Sequence, residues 1–222
     1  MTNQYNIDLA AVTIEKFKEN IRTRDLIPSR VSLKDDLDGR FEIIASVGIT
    51  NMNELVNALK TRSKIYVFAK ESGLPAEYLT LLCREARSYL SNPVRLDKFP
   101  GIPSEFVERL EAEGIKNTRQ MLICAGGKNL RINLALRAEI PIQFIDELAS
   151  LSDLSRAYGI GPVFARMLYD VGIHSIKKYT QFSAEEIIKI YEEKEGKKAD
   201  FGENEIQFSL NLAKDLNNLL EI

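Results

Sequence analysis

Tyr158-Gly159-Ile160-Gly161-Pro162-Val163-Phe164-Ala165 is the stretch whose reading decides the fold. Two glycines two residues apart allow a chain reversal too tight for residues that carry a Cβ. Pro162 then suits the first position of a helix, where its missing N–H removes no hydrogen bond. The stretch therefore predicts two short helices joined by a Gly-Ile-Gly turn. Backbone N–H groups at the start of the second helix are left without intrahelical partners. A place of that kind binds a phosphate oxygen. It also serves simply as a compact turn, and the two readings stay open at this point.

The same frame recurs along the chain. Overlaying Gly48-Ile49 on Gly114-Ile115, a shift of 66 residues, brings Asn51 onto Asn117, Pro75 onto Pro141, Tyr78 onto Phe144 and Leu82 onto Leu148. Overlaying Gly114 on Gly172, a shift of 58, brings Phe99-Pro100-Gly101-Ile102-Pro103 onto Ala157-Tyr158-Gly159-Ile160-Gly161 and Leu110 onto Leu168. Glycines, prolines and aromatics matching in one register point to three diverged units. They span residues 1–95, with a lead-in helix, then 96–153, then 154–222, and they are able to pack as one continuous body.

Each unit reads as helical. Gly48, Gly114 and Gly172 follow amphipathic runs and suit the left-handed residue that closes a helix. Asn51, Asn117 and Ser175 stand three residues later, where a side-chain oxygen caps the next helix. Asn51 with Glu54 and Ser183 with Glu186 have capping-box spacing. Pro75 and Pro141 sit where a new helix starts. Leu9, Val12, Ile14, Phe17 and Ile21 predict a lead-in helix before Pro28. Ser91-Asn92-Pro93 is the best internal break, Lys194–Lys198 a loose loop, and a capping helix is expected to end near Leu220. No alternating strand pattern is present. The expected fold is all-α, built of tandem helix-hairpin-helix-like repeats of short helices joined by tight Gly/Pro turns.

The chain has 222 residues, with 30 Lys and Arg against 32 Asp and Glu, a net charge of −2. That balance lacks the basic footprint usual for a dedicated nucleic-acid binder. Cys83 and Cys124, both in apolar surroundings, read as reduced buried thiols. Met1-Thr2-Asn3-Gln4-Tyr5-Asn6 has no leader pattern and no run approaches a membrane span, so a soluble cytoplasmic protein is the expectation.

The pattern Leu154-x-x-x-x-Gly159-Ile160-Gly161-Pro162-x-x-Ala165-x-x-Leu168 resembles the helix-hairpin-helix motif. The resemblance implies that the turn Gly159-Ile160-Gly161 and Val163 grip a nucleic-acid phosphate without reading sequence, through the Gly159, Gly161 and Val163 amides. Arg166, one helical turn on, adds charge, and Lys177 and Lys178 are expected to flank the turn. The other two units lack these features. Pro103 replaces the second glycine in the middle unit, and Asp35-Asp36-Leu37-Asp38 occupies the turn of the first.

Leu26-Ile27-Pro28-Ser29-Arg30, Gly48-Ile49-Thr50-Asn51-Met52-Asn53-Glu54-Leu55, Tyr78–Glu85 and Leu110-Glu111-x-x-Gly114-Ile115 carry a second resemblance. Over most of its length the chain is similar to a bacterial family of tandem repeats, the domain of unknown function numbered 4332. That resemblance implies the helical-hairpin fold and brings no activity with it.

Other constellations point to structure. His174, the single histidine, reads as a capping or surface residue near the third Gly-Ile. Gly126-Gly127-Lys128 lacks the upstream glycine and the Ser or Thr of a phosphate loop and reads as an interhelical turn. Asp35, Asp36 and Asp38 lack the spacing of a calcium loop and suit a helix start. Arg22, Arg24, Arg30, Lys60, Arg62 and Lys64 read as solvated faces. Arg84, after a strongly apolar run, is expected in a structural ion pair between units. The sequence thus predicts a non-enzymatic protein with no cofactor and no metal. Weak, sequence-independent DNA or other nucleic-acid binding ranks just ahead of a protein-interaction scaffold.

Overall fold

The computed structural model describes residues 5–221, so Met1–Gln4 of the stretch inspected for a leader lie outside the described residues. Among the described residues every regular element is helical: thirteen α-helices and two 3-10 segments, with only isolated bridges between extended residues. The all-α expectation holds. The chain divides into two compact units, Asp8–Leu90 and the described residues of Met1–Ile7 with Ser91–Ile222.

The Asp8–Leu90 unit holds α1 (Ile14–Thr23), α2 (Leu37–Ser46), α3 (Met52–Ala58), α4 (Arg62–Ser72) and α5 (Ala76–Ser88). Thr13 caps α1 by accepting the Lys16 N–H at 3.1 Å. The lead-in helix is shorter than its apolar pattern implies. Leu9 and Val12 are buried but precede the helix, because their backbone pairs elsewhere. Ile14 N–H donates to the Thr50 carbonyl and Met52 N–H to the Val12 carbonyl, both at 2.9 Å. α5 packs against α3, α4 and the 3-10 segment Pro28–Lys34, burying Tyr78, Leu79, Leu82 and Ala86. The ion pair expected of Arg84 belongs to its neighbour. Arg84 is exposed, whereas Glu85 is fully buried and meets Arg24 at 2.8 Å and Arg30 at 2.5 Å. The helical register puts Glu85, one residue on, toward the core.

The larger unit holds α6 (Ser104–Ala112), α7 (Thr118–Ala125), α8 (Lys128–Ala138), α9 (Ile142–Leu154), α10 (Pro162–Asp170), α11 (Ile176–Tyr179), α12 (Ala184–Glu195) and α13 (Glu203–Ala213). α9 is its axis, packed against α7, α8, α10 and α11. Leu148, Leu151 and Leu154 are fully buried on it, each contributing about 1.5–3 kcal/mol of transfer free energy. α3, α4 and α5 start 66 residues before α7, α8 and α9, and α6 and α7 start 58 before α10 and α11.

Local sequence accounts for the helix ends. Gly48, Gly114 and Gly172 have φ of 85°, 81° and 87°, the left-handed region that glycine enters freely. At Gly114 and Gly172 the Ile115 and Ile173 N–H groups reach back to Leu110 and Leu168 at 2.8 and 2.9 Å, closing a Schellman motif. Asn51, Asn117 and Ser175 cap α3, α7 and α11 through their side chains, and the Ser183–Glu186 capping box is complete. Pro75 and Pro141 stand at the N-cap, one residue before the helix, where an extended ψ suits them.

The chain end departs from expectation. α13 stops at Ala213, and Leu219–Glu221 lies irregularly against Gly126-Gly127-Lys128. Glu221 N–H donates to the Gly126 carbonyl at 2.9 Å, and the Glu221 carboxylate accepts the Lys128 N–H at 3.0 Å. Buried Arg131 donates to the Glu221 carbonyl at 2.8 Å and to the Asp146 carboxylate at 2.6 Å. The Gly-Gly pair is thus a seat for the chain's own C-terminal segment. Cys83 is buried, and burial pushes its thiol up, while Cys124 is half-buried.

Candidate functional site

After α9 ends at Leu154 the chain reverses and enters α10 at Pro162. Ile160 is buried and anchors the turn, its N–H bonded to the Ala157 carbonyl at 3.2 Å. Gly159 has φ +77°, and Gly161, at φ −83° and ψ 176°, is the N-cap residue. A Cβ at either glycine would meet nothing within 4 Å, so both face open space. Gly161 has no side chain to cap α10, and the Gly159, Gly161 and Val163 N–H groups have no hydrogen-bond partner among the described residues. Val163 is 72% exposed beside them.

The expected cations do not gather here. Arg166 Nε donates to the Pro100 carbonyl at 2.9 Å, Nη2 pairs with Glu147, and Nη1 lies 3.5 Å from Asp170. The guanidinium also lies against Gly101, whose missing Cβ would stand 3.8 Å from it. Arg166 therefore ties the Pro100–Gly101 turn to α9 and α10, and two carboxylates neutralise its charge. Lys178 Nζ stands 5.5 Å over the Phe182 ring. Lys177 lines a different cavity, with Asp153, Thr180 and Lys214. His174 stacks on Tyr169 with centroids 4.5 Å apart and bonds the Tyr169 carbonyl at 3.1 Å, a capping role as expected.

What adjoins the turn is an apolar groove of about 540 Å³. Tyr158, Ile160, Val163, Phe164, Met167 and Ile206 form much of it, with Tyr191 and Phe201 opposite. Phe164, Tyr191 and Phe201 make a triangle of rings with centroids 4.9–6.0 Å apart. Glu195, Lys197 and Glu205 are the charged groups of its lining. Glu205 is engaged, its carboxylate accepting the Gly202 N–H at 3.1 Å.

Beneath the turn lies a polar hub that the motif reading missed. Asp153 and Arg156 are both buried, 2.5 Å apart. Arg156 also donates to the Tyr5 carbonyl at 3.0 Å and the Asn217 carbonyl at 2.7 Å, tying both ends of the unit to α9. Asp153 accepts the Ile176 N–H at 2.8 Å. Burial holds the Asp153 carboxyl above its ordinary range, against the opposing pull of Arg156 and the Ile176 amide. The signal was present in the sequence: two opposite charges three residues apart inside a run otherwise made of Leu, Ala and Ser. Among the described residues no group of three or more His, Cys, Asp and Glu has the geometry to hold a metal, and no helix is long and apolar enough to cross a membrane.

No curated protein and no solved structure matches the chain. The stretches Leu26–Arg30, Gly48–Leu55 and Tyr78–Glu85 fall outside the one matched region, whereas Leu110–Ile115 and the Gly159–Gly161 turn fall inside it. Over residues 100–204, just under half its length, the chain matches the family model of the domain of unknown function DUF4332, and its resemblance is to that family.

Proposed function

We propose that this protein is a non-catalytic interaction module of tandem helix-hairpin-helix-like units that holds an apolar segment of a partner polypeptide in the groove beside Gly159–Gly161. The observation that carries this reading is the groove itself. At about 540 Å³ it falls within the roughly 300–1,000 Å³ of ordinary ligand sites, and it is walled by aromatic and aliphatic side chains with few polar groups. The unpartnered Gly161 and Val163 amides at its edge offer hydrogen bonds to peptide carbonyls. Arg166, the arginine expected to serve the turn, is already neutralised by Glu147 and Asp170, which weighs against a phosphate chain as the occupant.

The test is peptide selection by display on the intact chain, followed by fluorescence polarisation of enriched peptides. Peptides rich in aromatic and large aliphatic residues are expected to bind, and to weaken at least about tenfold against Val163→Glu, a loss of about 1.4 kcal/mol. Val163 is exposed, so that substitution leaves the core intact. Equal binding to both proteins would move the interaction off this groove.

A second reading rests on the same amides. Gly159, Gly161 and Val163 without partners at the start of a nine-residue helix suit one phosphate of a nucleic-acid backbone. With one or two such contacts the dissociation constant would lie at about 10⁻⁴–10⁻⁶ M and rise with salt. Anisotropy of a labelled DNA duplex at two salt concentrations, with Gly161→Asp as control, tests it. Absence of binding at low salt rejects this reading.

A further inference from the structure

Away from that groove, Lys177 of α11 and Thr180 just after that helix line, with Lys214, Asn217 and Asn218, which follow α13, a cavity of about 170 Å³. We propose that this cavity is a binding site for a single phosphate group, free or carried as the monoester of a small molecule. The argument is one of unused donors. Among the described residues neither Lys177 nor Lys214 has an ion-pair partner, and the Asn217 and Asn218 side-chain amides have no hydrogen bond. Two lysines and two asparagines from two separate segments thus line one space, and the ammonium and amide N–H groups they carry suit a tetrahedral oxyanion.

The sole carboxylate in the lining does not oppose this. Asp153 is 1% exposed, with one oxygen 2.5 Å from Arg156 and the other accepting the Ile176 N–H at 2.8 Å. Its charge is matched by a buried guanidinium, which leaves the two lysines as the net charge of the lining. The size fits as well. At about 170 Å³ the cavity is smaller than the roughly 300–1,000 Å³ of ordinary ligand sites, which suits a single phosphate group. Lys177 thus keeps the phosphate role that its sequence suggested, at a different place from the Gly159–Gly161 turn.

The experiment is calorimetric titration of the intact chain with inorganic phosphate in a non-phosphate buffer, with sodium chloride at matched ionic strength as control. A parallel titration uses phenyl phosphate, which distinguishes a free ion from an esterified one. Saturable one-to-one binding of one or both phosphates is expected, with none for chloride. Lys177→Met and Lys214→Met should each weaken it at least about tenfold, since each removes a charge-assisted hydrogen bond. Both lysines are exposed, and unchanged circular dichroism spectra would show that both variants fold. Failure to saturate, or equal affinity in the folded variants, would overturn the proposal.

Discussion

Asp153 Oδ2 accepts the Ile176 N–H at 2.8 Å, and in doing so takes a place that main-chain carbonyls fill elsewhere. At the corresponding first residue of α7, Thr118 N–H donates to the Val94 carbonyl, and at that of α3, Met52 N–H donates to the Val12 carbonyl, both at 2.9 Å. Only at α11 is the acceptor a side chain, and it brings a negative charge into the core. Arg156 accompanies it. Asp153→Ala would leave that guanidinium buried without its counter-ion, and is expected to cost about 3–5 kcal/mol in urea unfolding. The double variant with Arg156→Ala should cost less than the sum of the single ones. Additivity would mean that the two residues act separately.

Glu85 carries a second buried charge, held between Arg24 and Arg30. Removing it as Glu85→Ala takes the shared carboxylate from Arg24 and Arg30, with an expected loss of about 3–5 kcal/mol. Arg84→Ala, on the exposed side of the same helix, should stay within about 0.5 kcal/mol. Thermal melts of the two variants side by side test this contrast between adjacent residues.

Three glycines should respond differently to alanine. At Gly126 a Cβ would fall 2.4 Å from the Leu219 carbonyl oxygen, which a backbone atom cannot yield cheaply. Gly126→Ala should therefore cost about 1–3 kcal/mol and release the C-terminal segment to carboxypeptidase. Gly159→Ala has room but the wrong φ, and should cost about 1–2 kcal/mol. Gly161→Ala has both room and an ordinary φ, so its cost should stay below about 1 kcal/mol.

Burial pushes the phenols of Tyr78 and Tyr179 up to about 12, from an ordinary 10.0. Because their pKa values are higher folded than unfolded, the stability they confer is complete below pH 10.0 and is lost as pH rises toward about 12. Circular dichroism against pH should show unfolding in that interval. Tyr179→Phe, which cannot ionise, should shift the transition to higher pH. An unchanged midpoint would exclude this residue as its cause.

Gly48, Gly114 and Gly172, the caps at Asn51, Asn117 and Ser175, and Pro162 at the start of α10 were all legible in the sequence. Each acts within a few residues through φ preference or a side chain reaching its own helix, so local chemistry fixes the outcome. The all-α class followed from them. Tertiary structure alone decided which charges sit where. Arg166 neighbours the Gly159–Gly161 turn in sequence, yet its long side chain reaches Pro100 and Glu147, and Lys177 joins Lys214 from beyond α13. Glu85, not Arg84, is buried because one residue of helical register turns a side chain about 100° toward the core. The C-terminal seat on Gly126 pairs residues 90 and 93 positions apart, and no local pattern announces it. Sequence thus set the turns and helix ends, where the interacting groups are neighbours along the chain. Packing assigned the partners of long charged side chains, whose reach exceeds any local spacing.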